Sequence, residues 1–139
     1  ADYYATTRSN YFRVKDKQKF IEWCKSLDLE PIFRTDKKTN DELLGFLANT
    51  HNGALPSDRI IENAEGRECQ KEFDCFVELS THLMDGEVAI VIEIGYEKMR
   101  YLCGFANAVN SKGERVAISL DDIYEKAEKL GGGITEAAY

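Results

Sequence analysis

Val88-Ala89-Ile90-Val91-Ile92 is the longest uninterrupted apolar run in the chain, and every residue in it except Ala89 is β-branched. Branched side chains suit a pleated surface, and a run without polar alternation is expected of an inner strand covered on both faces. The run falls far short of the roughly 20 apolar residues a membrane span needs. It is therefore placed centrally in a sheet, entered through Asp85-Gly86 and left by a turn around Gly95 to Lys98.

Upstream, Phe73, Phe76, Val77, Ser80, Leu83 and Met84 repeat at helical spacing and predict a helix that starts near Glu68 and stops before Gly86. Downstream, Arg100 to Val109 and Arg115 to Leu120, joined by the turn Asn110-Ser111-Lys112-Gly113, complete a meander. Ser119 or Asp121 caps a last helix with Ile123, Tyr124, Ala127 and Leu130 inward, stopped by Gly131.

Towards the N-terminus, Tyr3 to Val14 reads as a strand with Phe12 and Val14 on one face. Asp16 then caps a helix whose stripe is Phe20, Trp23, Cys24 and Leu27, which predicts a largely buried Trp23. Leu29 to Arg34 and Leu43 to Ala48 form a hairpin around Thr39-Asn40-Asp41, and Asn49 to Gly66, with Asn52-Gly53 and Pro56, reads as a loop. The order strand, helix, strand, strand, helix, strand predicts an α+β fold: a ferredoxin-like split βαβ core with an antiparallel sheet, extended by two C-terminal strands and a helix. Residues 1–139 are expected to form a single domain.

The 139 residues carry 18 Lys+Arg against 25 Asp+Glu, a formal charge of −7 with a pI near 4.9. Such a chain is repelled by phosphate backbones and anionic membranes, which argues against a general nucleic-acid or membrane binder. No charged start with an apolar segment follows Ala1, and a cytoplasmic protein is expected. Cys24, Cys69, Cys75 and Cys103 lack the two-to-four-residue spacing of a zinc knuckle; Cys24 and Cys69 read as small hydrophobes on helical faces, Cys103 as one in a strand. His51 and His82 read as a loop residue and a helix-end cation. Neither a metal nor another cofactor is expected.

Nucleophilic catalysis requires Ser, Cys or Thr beside a base, and the chain has no Gly-x-Ser-x-Gly elbow. Gly131-Gly132-Gly133 follows a helix instead of opening one, so it reads as a helix stop. No catalytic residue is assigned, and an enzyme with an unrecognised site remains one alternative. Another is an RRM-like nucleic-acid-binding domain. Cys103 to Asn110 keeps the Gly, Phe and Ala of the eight-residue RNA-contacting motif but lacks its leading cation and later aromatics. Tyr11, Arg13 and Phe105 would carry that function.

Charge is unevenly placed. Residues 1–40 carry nine basic and six acidic residues (+3), residues 41–97 three and thirteen (−10), and residues 98–139 six and six (0). On the predicted helix, Glu68 and Glu72 lie on one flank of the apolar stripe and Asp74 and Glu78 on the other, preceded by Asp58, Glu62 and Glu65. Such a cluster is either a solvated face or a surface that docks onto a basic, nucleic-acid-binding protein.

Asn10-Tyr11-Phe12-Arg13-Val14-Lys15-Asp16, Asp85-Gly86-Glu87-Val88-Ala89-Ile90, Glu97-Lys98-Met99-Arg100-Tyr101-Leu102 and Thr135-Glu136-Ala137-Ala138-Tyr139 resemble segments of small acidic accessory proteins of phages, plasmids and integrative elements. The resemblance implies a setting in which acidic inhibitors of host defence, anti-CRISPR and anti-restriction proteins among them, are common. It transfers no catalytic residue. Charge and resemblance together lead to a non-enzymatic acidic inhibitor or adaptor that occupies a partner's basic nucleic-acid-binding surface.

Overall fold

A computed structural model describes residues 3–138. The chain runs β1 (Tyr4–Ser9), α1 (Lys17–Ser26), β2 (Leu29–Thr35), β3 (Glu42–Ala48), β4 (Asp58–Glu62), β5 (Glu68–Glu72), α2 (Cys75–His82), β6 (Val88–Glu97), β7 (Tyr101–Asn110), β8 (Arg115–Ser119) and α3 (Asp122–Ala127). It is an α+β architecture. Among the described residues, six strands form one antiparallel sheet in the order β2-β3-β1-β6-β7-β8, and β4 and β5 form a separate two-stranded ribbon.

Helix α1 begins where the Asp16 carboxylate accepts the Lys19 N–H, and it ends before Asp28, which takes a left-handed φ of 56°. It buries Phe20 and Cys24 against one sheet face. Asp74 caps α2 through the Phe76 N–H, and Phe76, Leu79 and Leu83 reach the same core from that segment. Phe12, Leu44, Phe46, Ala89, Val91 and Val109 complete it from below. Burying a side chain such as Phe20 or Phe46 contributes roughly 1.5–3 kcal/mol. Among the described residues, no helix is long and apolar enough to cross a membrane.

Several expectations need correction. The first strand lies at Tyr4–Ser9, and Phe12 and Val14 make only isolated bridges to Leu44 and Leu83. Its core-facing residues include Thr7 and Ser9, whose hydroxyls donate to Glu93 and to the Asn10 carbonyl, so polar groups are buried where apolar alternation would be sought. Residues 58–62 and 68–72, read as loop and helix, form a hairpin. Asn63 Oδ1 accepts the Glu65 and Arg67 N–H groups, and Gly66 supplies φ 75°. Cys69 is accordingly on a strand.

Trp23 is half-buried against Phe20 and Phe46 rather than enclosed, because its indole N–H reaches out to Glu78. Helix α3 has no fully buried residue: Tyr124 and Ala127 are half-buried, while Ile123 and, beyond the helix end, Leu130, both expected inward, are exposed. Finally, β6 is central but covered on one face only. Ala89, Val91 and Glu93 are buried, whereas Val88, Ile90, Ile92, Ile94 and Tyr96 face outward uncovered.

His82 ends α2 with its ring 5.2 Å from Trp23 and 5.9 Å from Phe20. Burial lowers its pKa from the ordinary 6.5, opposed by the nearby Glu78 and Asp16, so it is neutral at pH 7 and not the expected cation. The unfolded chain thus takes this proton first as pH falls through 6.5, and stability is lost across that window down to the lower folded pKa. Urea midpoints should therefore drop less between pH 7.5 and 5.5 for His82→Gln than for the wild type. Identical drops would remove His82 from the pH response.

Candidate protein-docking surface

Strands β4 and β5 pair Asp58 with Glu72, Ile60 with Gln70 and Glu62 with Glu68. Residues two apart on a strand share a face, so these six side chains line one side of the ribbon, and all of them are exposed. Four are carboxylates. They form two like-charged cross-strand pairs, separated along the ribbon by roughly 13 Å. Like charges directly opposite are destabilising. Among the described residues, none of Asp58, Glu62, Glu68 and Glu72 has an ion-pair partner.

The opposite side of the ribbon is its anchor. Arg59 lies over the Phe73 ring at 4.3 Å and forms an ion pair with Glu78 of α2. The same Glu78 Oε1 accepts the Trp23 indole N–H at 3.0 Å, so one carboxylate joins the ribbon, α2 and α1. At the base, Asp74 caps α2 and pairs with Arg115 of β8 at 2.9 Å.

The seven acidic residues named from sequence therefore separate into three groups. Asp58, Glu62, Glu68 and Glu72 form one charged face, Glu65 sits exposed at the tip, and the last two are engaged elsewhere, Glu78 with Arg59 of the ribbon and Asp74 with the α2 N-terminus and Arg115 of β8. The central Ile60, which the sequence reading passed over, belongs to this face as well, while Arg59 anchors the ribbon from its other side. Alternation of Asp58, Ile60 and Glu62, mirrored by Glu68, Gln70 and Glu72 across Asn63 to Gly66, was the available signal. Beside this face lies an open cleft of about 760 Å³, in which Asp58, Ile60 and Gln70 look across to Ser26, Leu27 and Asp28.

Tyr11, Arg13 and Phe105 do not converge. Tyr11 is flanked by the Arg8 and Arg34 guanidiniums at 5.6 and 5.5 Å. Arg13 is held by Asp36, Asp41 and Glu87, all at 2.9 to 3.6 Å, and the hydrogen bond to Asp41 keeps its pKa raised. Phe105 lies opposite Glu93 on the helix-facing side of the sheet, in a hollow with Phe73 and Phe76. A base-stacking platform needs its aromatics on one open face.

A buried polar cluster lies beneath that hollow. Glu93, 5% exposed, accepts hydrogen bonds from the Tyr3 and Thr7 hydroxyls and from the Leu55 N–H. Burial, with contributions from Cys103 and Glu93, raises the Tyr3 pKa far above the usual phenol value. Burial likewise pushes the Cys24 and Cys75 thiols up to about 12, leaving both as poor nucleophiles. Among the described residues, no three His, Cys, Asp or Glu side chains are grouped to hold a metal ion.

Comparison with protein-family models, with curated proteins and with solved structures finds no match to this chain.

Proposed function

We propose that this protein is a non-enzymatic inhibitor or adaptor that docks the acidic face of its β4–β5 ribbon onto a basic surface of a nucleic-acid-binding partner. The observation that carries this is the pairing of Asp58 with Glu72 and of Glu62 with Glu68, all exposed and none with a cationic partner among the described residues. The arrangement costs stability within the ribbon, and a cationic partner would relieve the repulsion. Ile60, 67% exposed between the two acidic pairs, adds an apolar contact at their centre.

The similarity to acidic proteins of mobile elements extends this proposal to an anti-defence role, against CRISPR or restriction effectors, in the cytoplasm. The order β2-β3-β1-β6 supports a ferredoxin-like split βαβ core from which the ribbon is an insertion between β3 and α2.

The test is capture from nuclease-treated lysates with the tagged 139-residue chain, wild type against Glu62→Lys/Glu72→Lys. Basic nucleic-acid-binding proteins should be retained by the wild type, lost with the variant, and released by added nucleic acid. Identical capture profiles would overturn the proposal.

A further inference from the structure

The outer face of β6, β7 and β8 is a continuous apolar field. Ile90, Ile92 and Ile94 of β6 lie across from Ala108, Ala106 and Gly104 of β7, and Ala108 and Ala106 from Val116 and Ile118 of β8. From Val88 to Tyr96, from Leu102 to Ala108 and at Val116 and Ile118, no side chain on this face is charged. Arg8 of β1, opposite Ile92, marks its border. Exposure of these residues is substantial: 48% for Ile92, 62% for Ile94, 71% for Val116 and 70% for Ile118.

With Tyr4, Tyr96, Leu102 and Leu120 included, the exposed side chains of this face amount to on the order of 1,000 Å², where the largest apolar patch of an ordinary monomer is roughly 300–600 Å². A stable interface buries about 800 Å² per partner. The relief is also specific: the β-branched rows of β6 and β8 stand on either side of a floor of Ala106 and Ala108, closed at one end where the Leu120 side chain covers Gly104. A two-fold axis would let one copy's ridge enter the other's trough, the self-complementary contact of a symmetric dimer.

We infer that a second copy of this chain covers the outer face of β6, β7 and β8, forming a homodimer packed sheet against sheet. Charge fits this occupant better than a different protein. The field itself carries no ionic side chain to select a foreign partner; Asp121, Glu128 and Glu136 line a hollow beside Leu102 at one end, and a −7 chain approaches its own copy most readily over the acid-free centre. The ribbon, tied through Arg59 to α2, sits on the helix-covered side, so back-to-back packing leaves both acidic faces outward. The unalternated run Val88 to Ile92, suited to a strand covered on both sides, then has its second cover. The inference stands independently of the ribbon's role.

Sedimentation velocity on the 139-residue chain at 1 to 100 µM tests it, with Ile92→Lys as the variant and circular dichroism to verify folding. The wild type should sediment as twice 15.8 kDa, and Ile92→Lys should raise the dimer dissociation constant by at least ~100-fold while keeping its fold. If Ile92→Lys does not fold, Ile118→Lys on the edge strand probes the same face. A monomeric wild type at 100 µM overturns the inference. So does a dimer unaffected by a folded Lys variant, which would indicate pairing through the β8 edge.

Discussion

Glu93→Ala should lower the stability of the fold by about 3–5 kcal/mol, since it removes the one acceptor shared by three donors, the buried Thr7 hydroxyl and the part-buried Tyr3 hydroxyl and Leu55 N–H. The Thr7 hydroxyl at 3.1 Å and the Leu55 N–H at 2.7 Å both point to Oε1, and the Tyr3 hydroxyl at 2.9 Å to Oε2. Neither Thr7 nor Glu93 is more than 5% exposed, so water cannot easily replace the lost bonds. Glu93→Gln should behave differently, because its amide oxygen still accepts from Thr7 and Leu55 while its nitrogen can donate to the Tyr3 oxygen. Urea unfolding of both variants is the measurement. An alanine variant within about 1 kcal/mol of wild type would show that these donors find other partners. The effect should also reach the ribbon, because Leu55 and Pro56 lead directly into β4. Hydrogen exchange at β4 should be faster in Glu93→Ala than in Glu93→Gln.

The regular elements were most legible where apolar spacing is determined by a core. Phe20, Cys24 and Leu27 defined α1, and the β2–β3 hairpin follows the expected residues within one position at each end. Legibility failed where polar groups do the packing. β1 turns Thr7 and Ser9 inward, and Glu93 interrupts the buried face of β6, so alternation understates both strands. The ribbon was missed for a related reason. Glu68 to Glu72 has no apolar residue facing a core, and its strand pairing depends on Asn63 and Gly66 shaping the turn. Its acidic composition was visible, but the cross-strand register that opposes Glu62 to Glu68 is a property of the fold. For β6 the amino acids demand cover on both faces, and one chain supplies it on one.

Glu62→Lys/Glu72→Lys should slow association with a basic partner by about 10- to 100-fold at low salt, and the difference should shrink as ionic strength rises. Each substitution changes a like-charged pair into an opposite-charged one, because in the existing register position 62 faces Glu68 and position 72 faces Asp58. The folded ribbon therefore gains attraction where it had repulsion, and the thermal midpoint should stay unchanged or rise. A solvated acidic face would give the same stability result with unchanged association. The decisive comparison is Glu78→Gln, which keeps the four exposed carboxylates but weakens the link from Arg59 and Trp23 to α2. That variant should lose stability and slow binding only modestly, with a salt dependence close to wild type, because the charge reaching the partner is unaltered. Stopped-flow association at two ionic strengths, with the partner retained by the wild type, distinguishes the cases. Equal rates for wild type and the double reversal would return the ribbon to a solvated surface, whereas slow binding with raised stability would show acids kept for a partner at the expense of the fold.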